Sequence, residues 1–312
     1  MSIRFLCVGD LDVDLMASVA RIPDADDKVS GRRICLSVGG MGANVAVGLR
    51  RLGAQVRLIA AVGDDAHGAM AERTLVDEGV DIGYLVRRPG EATFMCVVML
   101  TGDGEKSLVR LETDAYLPAP ADIPDAAFAD VGHVHLTLGS VALTRHCVAR
   151  ARATGTSVSL DVEKADLPED PSAFLALLPR INWLFMNART RSHIERTLGP
   201  EVLKAARCLI TTDGASGCRL DCDGVNASVP GHAVEVRDST GAGDGFVAAF
   251  LHARLVEHRA DAEALRRANA AAAMVVQHYG AQTGLPTTDA IDRFLGDAPS
   301  PAADPAWTDR HA

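Results

Sequence analysis

The stretch Asp238-Ser-Thr-Gly-Ala-Gly-Asp-Gly-Phe246 holds the residue types that phosphoryl-group chemistry requires. A β-prone run, 233–236, leads into it, and a helix-prone run, 246–255, leads out. Glycines at 241, 243 and 245 let backbone N–H groups crowd around an anion at a helix start. Unpaired amides and the positive end of the helix dipole both favour phosphate there. Asp244 sits inside this nest, where a carboxylate would repel a resting phosphate. It is useful there if it takes a proton from an attacking hydroxyl while the amides hold the transferring group. The combination implies phosphoryl transfer; the plain alternative is a Gly-rich turn with a helix-capping Asp. No Gly-Lys-Ser/Thr follows, so this is not a Walker A loop. The third glycine also comes one residue too early for the dinucleotide fingerprint.

A second Gly-rich helix entry, Gly39-Gly-Met-Gly-Ala-Asn-Val-Ala46, continues to Gly53 and is followed by an apolar run, 56–63, that ends in Asp64 and Asp65. With Cys7-Val-Gly-Asp10 at one end and Gly280-Ala-Gln282 at the other, these motifs resemble the ribokinase-like (PfkB) carbohydrate kinase family over nearly the whole chain. The resemblance implies an α/β fold: a ribokinase-like three-layer sandwich with a mostly parallel central sheet and a small β-sheet lid. Residues 1–296 would be the kinase domain, with a lid from about 11–38 and 92–111. Residues 297–312, carrying Pro299, Pro301 and Pro305, would be a disordered tail.

Residue by residue, the resemblance implies Asp244 as catalytic base and Gly241, Ala242 and Gly243 as the amides of an anion hole. Asp12 and Asp14 would bond sugar hydroxyls, and Gly40 and Asn44 would close the sugar pocket. Asn187, Thr212, Gly214 and Asn269 would lie along the nucleotide. ATP and Mg2+ are the implied cofactors. K+ joins them as in several relatives, held by carbonyls near Asp238, Thr240 and residues 280–284. Two departures matter. Many members carry Asn-x-x-Glu, whose acid organises magnesium, but Asn187 is followed here by Ala188, Arg189 and Thr190. Gly139 stands where ribokinases proper carry an acid that reaches the sugar. Neither the usual magnesium arrangement nor ribose follows from the resemblance.

The elements that must position these residues alternate between strand and helix, the mark of a parallel sheet covered by helices. Expected strands are 5–8, 56–61, 133–138, 157–161, 183–186 and 208–212. Expected helices are 43–52, 67–78, 145–153, 190–197, 201–206 and 262–278. Two β-ribbons, 29–38 and 93–110, break the alternation. In the first, Ile34, Leu36 and Val38 alternate with smaller, more polar residues. In the second, 94–100 is apolar on both faces and precedes a Gly102-Asp-Gly104 turn. One face of that strand would be wet in a monomer, so a homodimer through the lid is expected.

A chain of 312 residues with 48% hydrophobic and 23% charged residues is an ordinary soluble globular protein. Its net charge of -10 argues against nucleic acid or an anionic membrane as partner. Seven scattered cysteines, an odd number, imply reduced thiols, with Cys218 and Cys222 an incidental pair. The short apolar start reads as a first strand rather than a signal peptide, and the cytoplasm is the expected compartment.

Four further groups are candidates. Asp10, Asp12 and Asp14 would share one face of a strand, as a polyol site or a solvated loop. They are not a calcium loop, because Leu15 stands where one needs glycine. His133 and His135 share a strand face but lack a third metal ligand. Asp161 and Glu163, at a strand's carboxyl end, could touch magnesium or phosphate, a solvent-facing charge cluster being the alternative. Lys28, Arg32, Arg33 and Arg110 concentrate positive charge in the lid; turned inward, they would suit an acidic sugar. The function expected is an ATP-dependent kinase for a sugar hydroxyl, a primary one. The alternatives are a nucleoside kinase of the same fold, for which 4% aromatic residues are few, and a catalytically silent sugar or nucleotide sensor.

Overall fold

The structure, a computed structural model, describes residues 3–102 and 105–297. The chain opens with β1 (Arg4–Val8), β2 (Asp12–Val19) and β3 (Gly31–Gly39), then α1 (Met41–Arg51). β4 (Gln55–Ile59), β5 (Ala61–Gly63), α2 (Ala66–Asp77), β6 (Val86–Arg88), β7 (Met95–Thr101) and β8 (Lys106–Leu111) follow. Next come β9 (His133–Thr137), α3 (Val141–Ala153), β10 (Ser157–Asp161), the single turn α4 (Ser172–Leu175), β11 (Trp183–Asn187) and α5 (Ala188–Leu198). β12 (Cys208–Thr212), β13 (Cys218–Cys222) and β14 (Val225–Val229) lead to α6 (Ala242–Leu255), α7 (Asp261–Val275) and α8 (Thr288–Asp297).

The main sheet runs β14-β13-β12-β11-β10-β9-β1-β4, parallel from β12 to β4 with an antiparallel hairpin at the other edge. Period-two alternation sends successive strand residues to opposite faces, and both faces are covered. Phe5, Cys7, Phe185 and Ile210 pack with α1, α6 and α7. Leu6, Val8, Leu184, Met186 and Leu209 pack with α3 and α5. This is the expected three-layer arrangement. The separate small sheet runs β3-β2-β7-β8, with β2 and β7 parallel.

Several expectations are corrected. Residues 201–205 lie in a 3-10 segment, Pro200–Ala205, rather than an α-helix, entered through Gly199 at φ +91° and left at Ala206 in extended conformation. The expected C-terminal helix 262–278 ends at Val275 and is followed by a separate α8. Cys208 and Cys222 face each other across the β12–β13 ladder with Cα atoms 4.0 Å apart and are joined as a disulfide, so the expectation of seven reduced thiols fails for this pair. Cys218 is a free, buried thiol. The expected turn at 103–104 and the expected tail beyond Asp297 lie outside the described residues. Among the described residues no helix is long and apolar enough to cross a membrane.

His133 and His135 are buried core side chains. His133 bonds Ser157 and Ser159 hydroxyls at 2.8 Å each, and His135 bonds Ser159 at 2.8 Å. Burial holds both imidazoles neutral, His135 down to about 3. Serine hydroxyls from β10 engage three of the four ring nitrogens, and His135 Nε2 has no partner among the described residues.

Candidate active site

Parallel strands deliver their carboxyl ends to one edge of the sheet. Asp10 follows β1, Asp161 ends β10, Asn187 ends β11 and Thr212 ends β12. Opposite them lies one face of the small sheet. The ladder registers put Asp14 beside Cys96, Cys96 beside Arg110, and Val98 beside Leu108, so these side chains share that face. The starts of α1 and α6 close the remaining wall. One cavity of about 440 Å³ results, lined among others by Asp10, Asp12, Asp14, Gly40, Asn44, Asp161, Glu163, Asn187, Thr212, Gly241, Gly243 and Asp244.

α6 begins as its glycines dictate. Gly241 is the N-cap at φ +78°, and a Cβ there would lie 2.4 Å from the Ala281 carbonyl oxygen. The Ala242 N–H, expected to face an anion, instead donates to the Ser239 carbonyl at 3.3 Å. The Gly241, Gly243 and Asp244 amides take no hydrogen-bond partner among the described residues. The open donors at this helix start are therefore 241, 243 and 244 rather than 241, 242 and 243. The turn that positions Gly241 uses the amide between.

Asp244 is buried, and its Oδ2 accepts from Asn44 Nδ2 at 2.8 Å. Asn44 Oδ1 in turn accepts from Gln282 Nε2 at 3.0 Å. The amide of Asn44 is thus largely engaged with Asp244 and Gln282. Burial above all, then Asp161, Asp10 and Glu163, pushes the Asp244 carboxyl well above the usual carboxylate range, against the Asn44 hydrogen bond.

Asp12 and Asp14, each 4% exposed, project from β2 into the same cavity. Burial raises Asp14 to about 6, opposed by Lys106, and raises Asp12 further with help from Asp14 and Asp10. Asp161 is pushed to about 8 by burial and then by Glu163. Neither Asp161 nor Glu163 forms an ion pair among the described residues. Both line the cavity; Asp161 is buried there, whereas Glu163 is exposed.

The basic residues divide. Lys28, Arg32 and Arg33 do not line this cavity, whereas Arg110 does. Arg110 is already neutralised by Asp166 at 2.9 Å and Glu112 at 3.2 Å, and its guanidinium lies over Tyr116 at 4.7 Å. Lys106, which sequence reasoning passed over, bonds the Thr240 hydroxyl and lies 3.7 Å from Asp238. The signal for it was present: Lys106, Leu108 and Arg110 alternate on one strand face. Tyr116 and Asp166, also missed, stand in loops without period.

Of the expected nucleotide contacts, Asn187 and Thr212 reach the cavity, and Gly214 and Asn269 do not. Asn269 donates to the Val229 and Pro230 carbonyls at 3.0 Å each, which uses its NH2 group. Asn187 caps α5, accepting from the Thr190 N–H at 2.9 Å and the Thr190 hydroxyl at 3.1 Å. Thr190 is 1% exposed, a position that suits a hydroxyl bonded to the cap better than an unpaired acid. Asp238 staples two segments, accepting from the Thr240 N–H and hydroxyl and, through its other oxygen, from the Gly280 N–H.

A buried carboxyl clamped beside open amides, inside a three-layer α/β fold with a small second sheet, defines a phosphotransferase of the ribokinase kind. The description of the pfkB family of carbohydrate kinases matches residues 3–288, and the chain belongs to that family. It is 30% identical over 301 residues to an ATP-dependent ribose-1-phosphate kinase of Halopiger xanaduensis, covering 95% of this chain and 99% of the other. It superposes on the nucleoside kinase of Methanocaldococcus jannaschii with a TM-score of 0.83 at 27% identity, covering 95% and 98% of the two chains. A protein of E. coli assigned as ribokinase II, in complex with ATP and Mg2+, gives a TM-score of 0.82 at 25% identity and coverage of 95% and 99%.

Proposed function

We propose that the protein is an ATP-dependent kinase that phosphorylates a primary hydroxyl on a neutral sugar or sugar derivative. The carrying observation is Asp244, held by Asn44 at 2.8 Å beside open amides and in one cavity with Asp14. In this reading Asp14 accepts hydrogen bonds from the acceptor and Asp12 and Gly40 shape its pocket. Asp244 takes the proton of the attacking hydroxyl at a carboxylate oxygen. The Gly241, Gly243 and Asp244 amides stabilise charge on the transferred group, and Asn187 and Thr212 flank the nucleotide. Asp161, a buried acid, and Glu163, an exposed one on the same cavity wall, form no ion pair among the described residues and suit Mg2+ in place of the acid missing at Thr190. When bound, that ion neutralises phosphate charge. The turn at 238–240, stapled to Gly280, is the proposed K+ site.

A neutral acceptor follows from charge. Three aspartates, 10, 12 and 14, line the acceptor end, and the nearby bases are already paired with Asp166, Glu112 and Asp238. A sugar phosphate, as in the Halopiger relative, would meet net repulsion there. A second reading, a nucleoside, is favoured by one feature: Phe94 and Tyr116 form an edge-to-face pair 4.8 Å apart on the cavity wall. A catalytically silent sensor fits poorly with an intact, clamped Asp244.

The small sheet is the proposed lid, closing the site against water. Its outer face carries Leu15, Leu36, Val97 and Met99, with Val109 and Leu111 at 46% and 47% exposure. Joining two such faces about a twofold axis supports the homodimer reading. The test of function is a panel of neutral sugars, nucleosides and sugar phosphates assayed for ADP release, with Asp244→Asn beside the parent. Asn keeps the shape but accepts no proton, so turnover on any accepted substrate should fall at least about a hundredfold while ATP still binds. Near-parental turnover refutes the role of Asp244.

A further inference from the structure

We infer that Asp12, Asp14 and Cys96 form a site for a thiophilic divalent cation of the zinc class, and that the ion competes there with the acceptor. One ligand atom from each residue lies within 4.8 Å of the other two, and all three side chains are buried. A second observation is independent of the clustering: Asp12 Oδ1 is buried without a hydrogen-bond partner. Its other oxygen is taken by the Cys96 thiol at 3.2 Å. A Cβ placed on Gly39 would lie 2.5 Å from Asp12 Oδ1 and 2.4 Å from Asp14 Oδ2, so both oxygens converge on the space that glycine leaves open.

Rigid elements set this geometry. Positions 12 and 14 share a face of β2, and the parallel ladder places Cys96 of β7 directly beside Asp14. Zinc binds sulfur at about 2.3 Å and carboxylate oxygen at about 2.0–2.2 Å in a tetrahedron. Magnesium, which demands oxygen octahedra, is poorly served by a thiol. Three protein ligands leave a fourth position facing the cavity, for water or an acceptor hydroxyl. Sulfur ligates as thiolate, so the Cys96 proton leaves to solvent as the metal–sulfur bond forms. The charged groups facing the site are Asp10, Asp238, Asp244 and Lys106; only Lys106 offsets the negative charge.

Cation binding does not rest on the kinase reading; the competition does. Full-length protein is titrated with Cd2+, whose thiolate complex absorbs in the ultraviolet. One equivalent of band is expected, lost in Cys96→Ser and in Cys96→Ala but kept in Cys35→Ser, which alters the half-buried free thiol on β3. Calorimetry with Zn2+ should show Asp12→Asn weakening binding by at least about tenfold. Zn2+ should raise the KM for the accepted substrate and leave that for ATP unchanged. No band at one equivalent, or a band that survives both Cys96 variants, overturns the site. Binding without a change in acceptor KM overturns the competition. Failure to find any accepted substrate leaves the spectrum intact, so the two readings fail separately.

Discussion

Asp161 offers the sharpest link between the site's electrostatics and a bulk measurement. Its carboxyl is raised to about 8, chiefly by burial, from an ordinary value of 3.8. The folded chain therefore holds a proton that the unfolded chain has lost. Stability from this group is fully present below the unfolded value and is lost as pH rises through about 8. Between about pH 6 and pH 8 the loss integrates to about 2 kcal/mol, which at this chain length lowers Tm by about 3 °C. Asp161→Asn removes the titration while keeping the shape. The Tm of the variant should fall less than that of the parent over the same window, and the difference between the two curves cancels groups common to both. Mg2+, held by Asp161 and Glu163 in the proposed arrangement, should raise the parent's Tm more at pH 8 than at pH 6 and do little for the variant. Parallel Tm curves for parent and variant would refute the argument that Asp161 is a buried acid awaiting a cation.

Three further outcomes are expected. Asp14→Ala should weaken acceptor binding by about 1–3 kcal/mol, the cost of an unpaired buried hydroxyl, and unchanged affinity by calorimetry would return Asp14 to a structural role. In the parent, that affinity should rise with pH through about 6 as Asp14 ionises. Sedimentation at micromolar concentration should find a dimer; a single species at 32.8 kDa without concentration dependence would exclude the shared lid face.

The parallel core was legible because its strands are short apolar runs bounded by turns, as at His133–Thr137 and Cys208–Thr212. The small sheet was harder to read. β2 starts with Asp12 and Asp14, acids that disguise a buried strand, since their burial depends on a cavity formed by remote segments. Pairings across distance were invisible for the same reason. The alternation of Lys106, Leu108 and Arg110 marks a shared face but not that the face turns inward, and nothing local predicts that Cys208 meets Cys222 rather than that Cys218 does. Gly214 sits in a turn and Asn269 bonds two carbonyls, placements that residue type alone does not announce. The glycine nest at 241–245 was legible as a helix start. Which of its amides stay open depended on the turn at Ser239.

The clamp on Asp244 has a consequence for the life of the chain. Asn44 and Asp244 stand 200 residues apart, and Gln282 lies 238 residues beyond Asn44. In a chain emerging from the ribosome, Asn44 appears early, Asp244 arrives with α6, and Gln282 arrives only after α7. Until then, the Asn44 amide has one of its two partners. A copy cut just before Gln282 still carries both Asn44 and Asp244 but loses the bond that fixes the far side of the Asn44 amide.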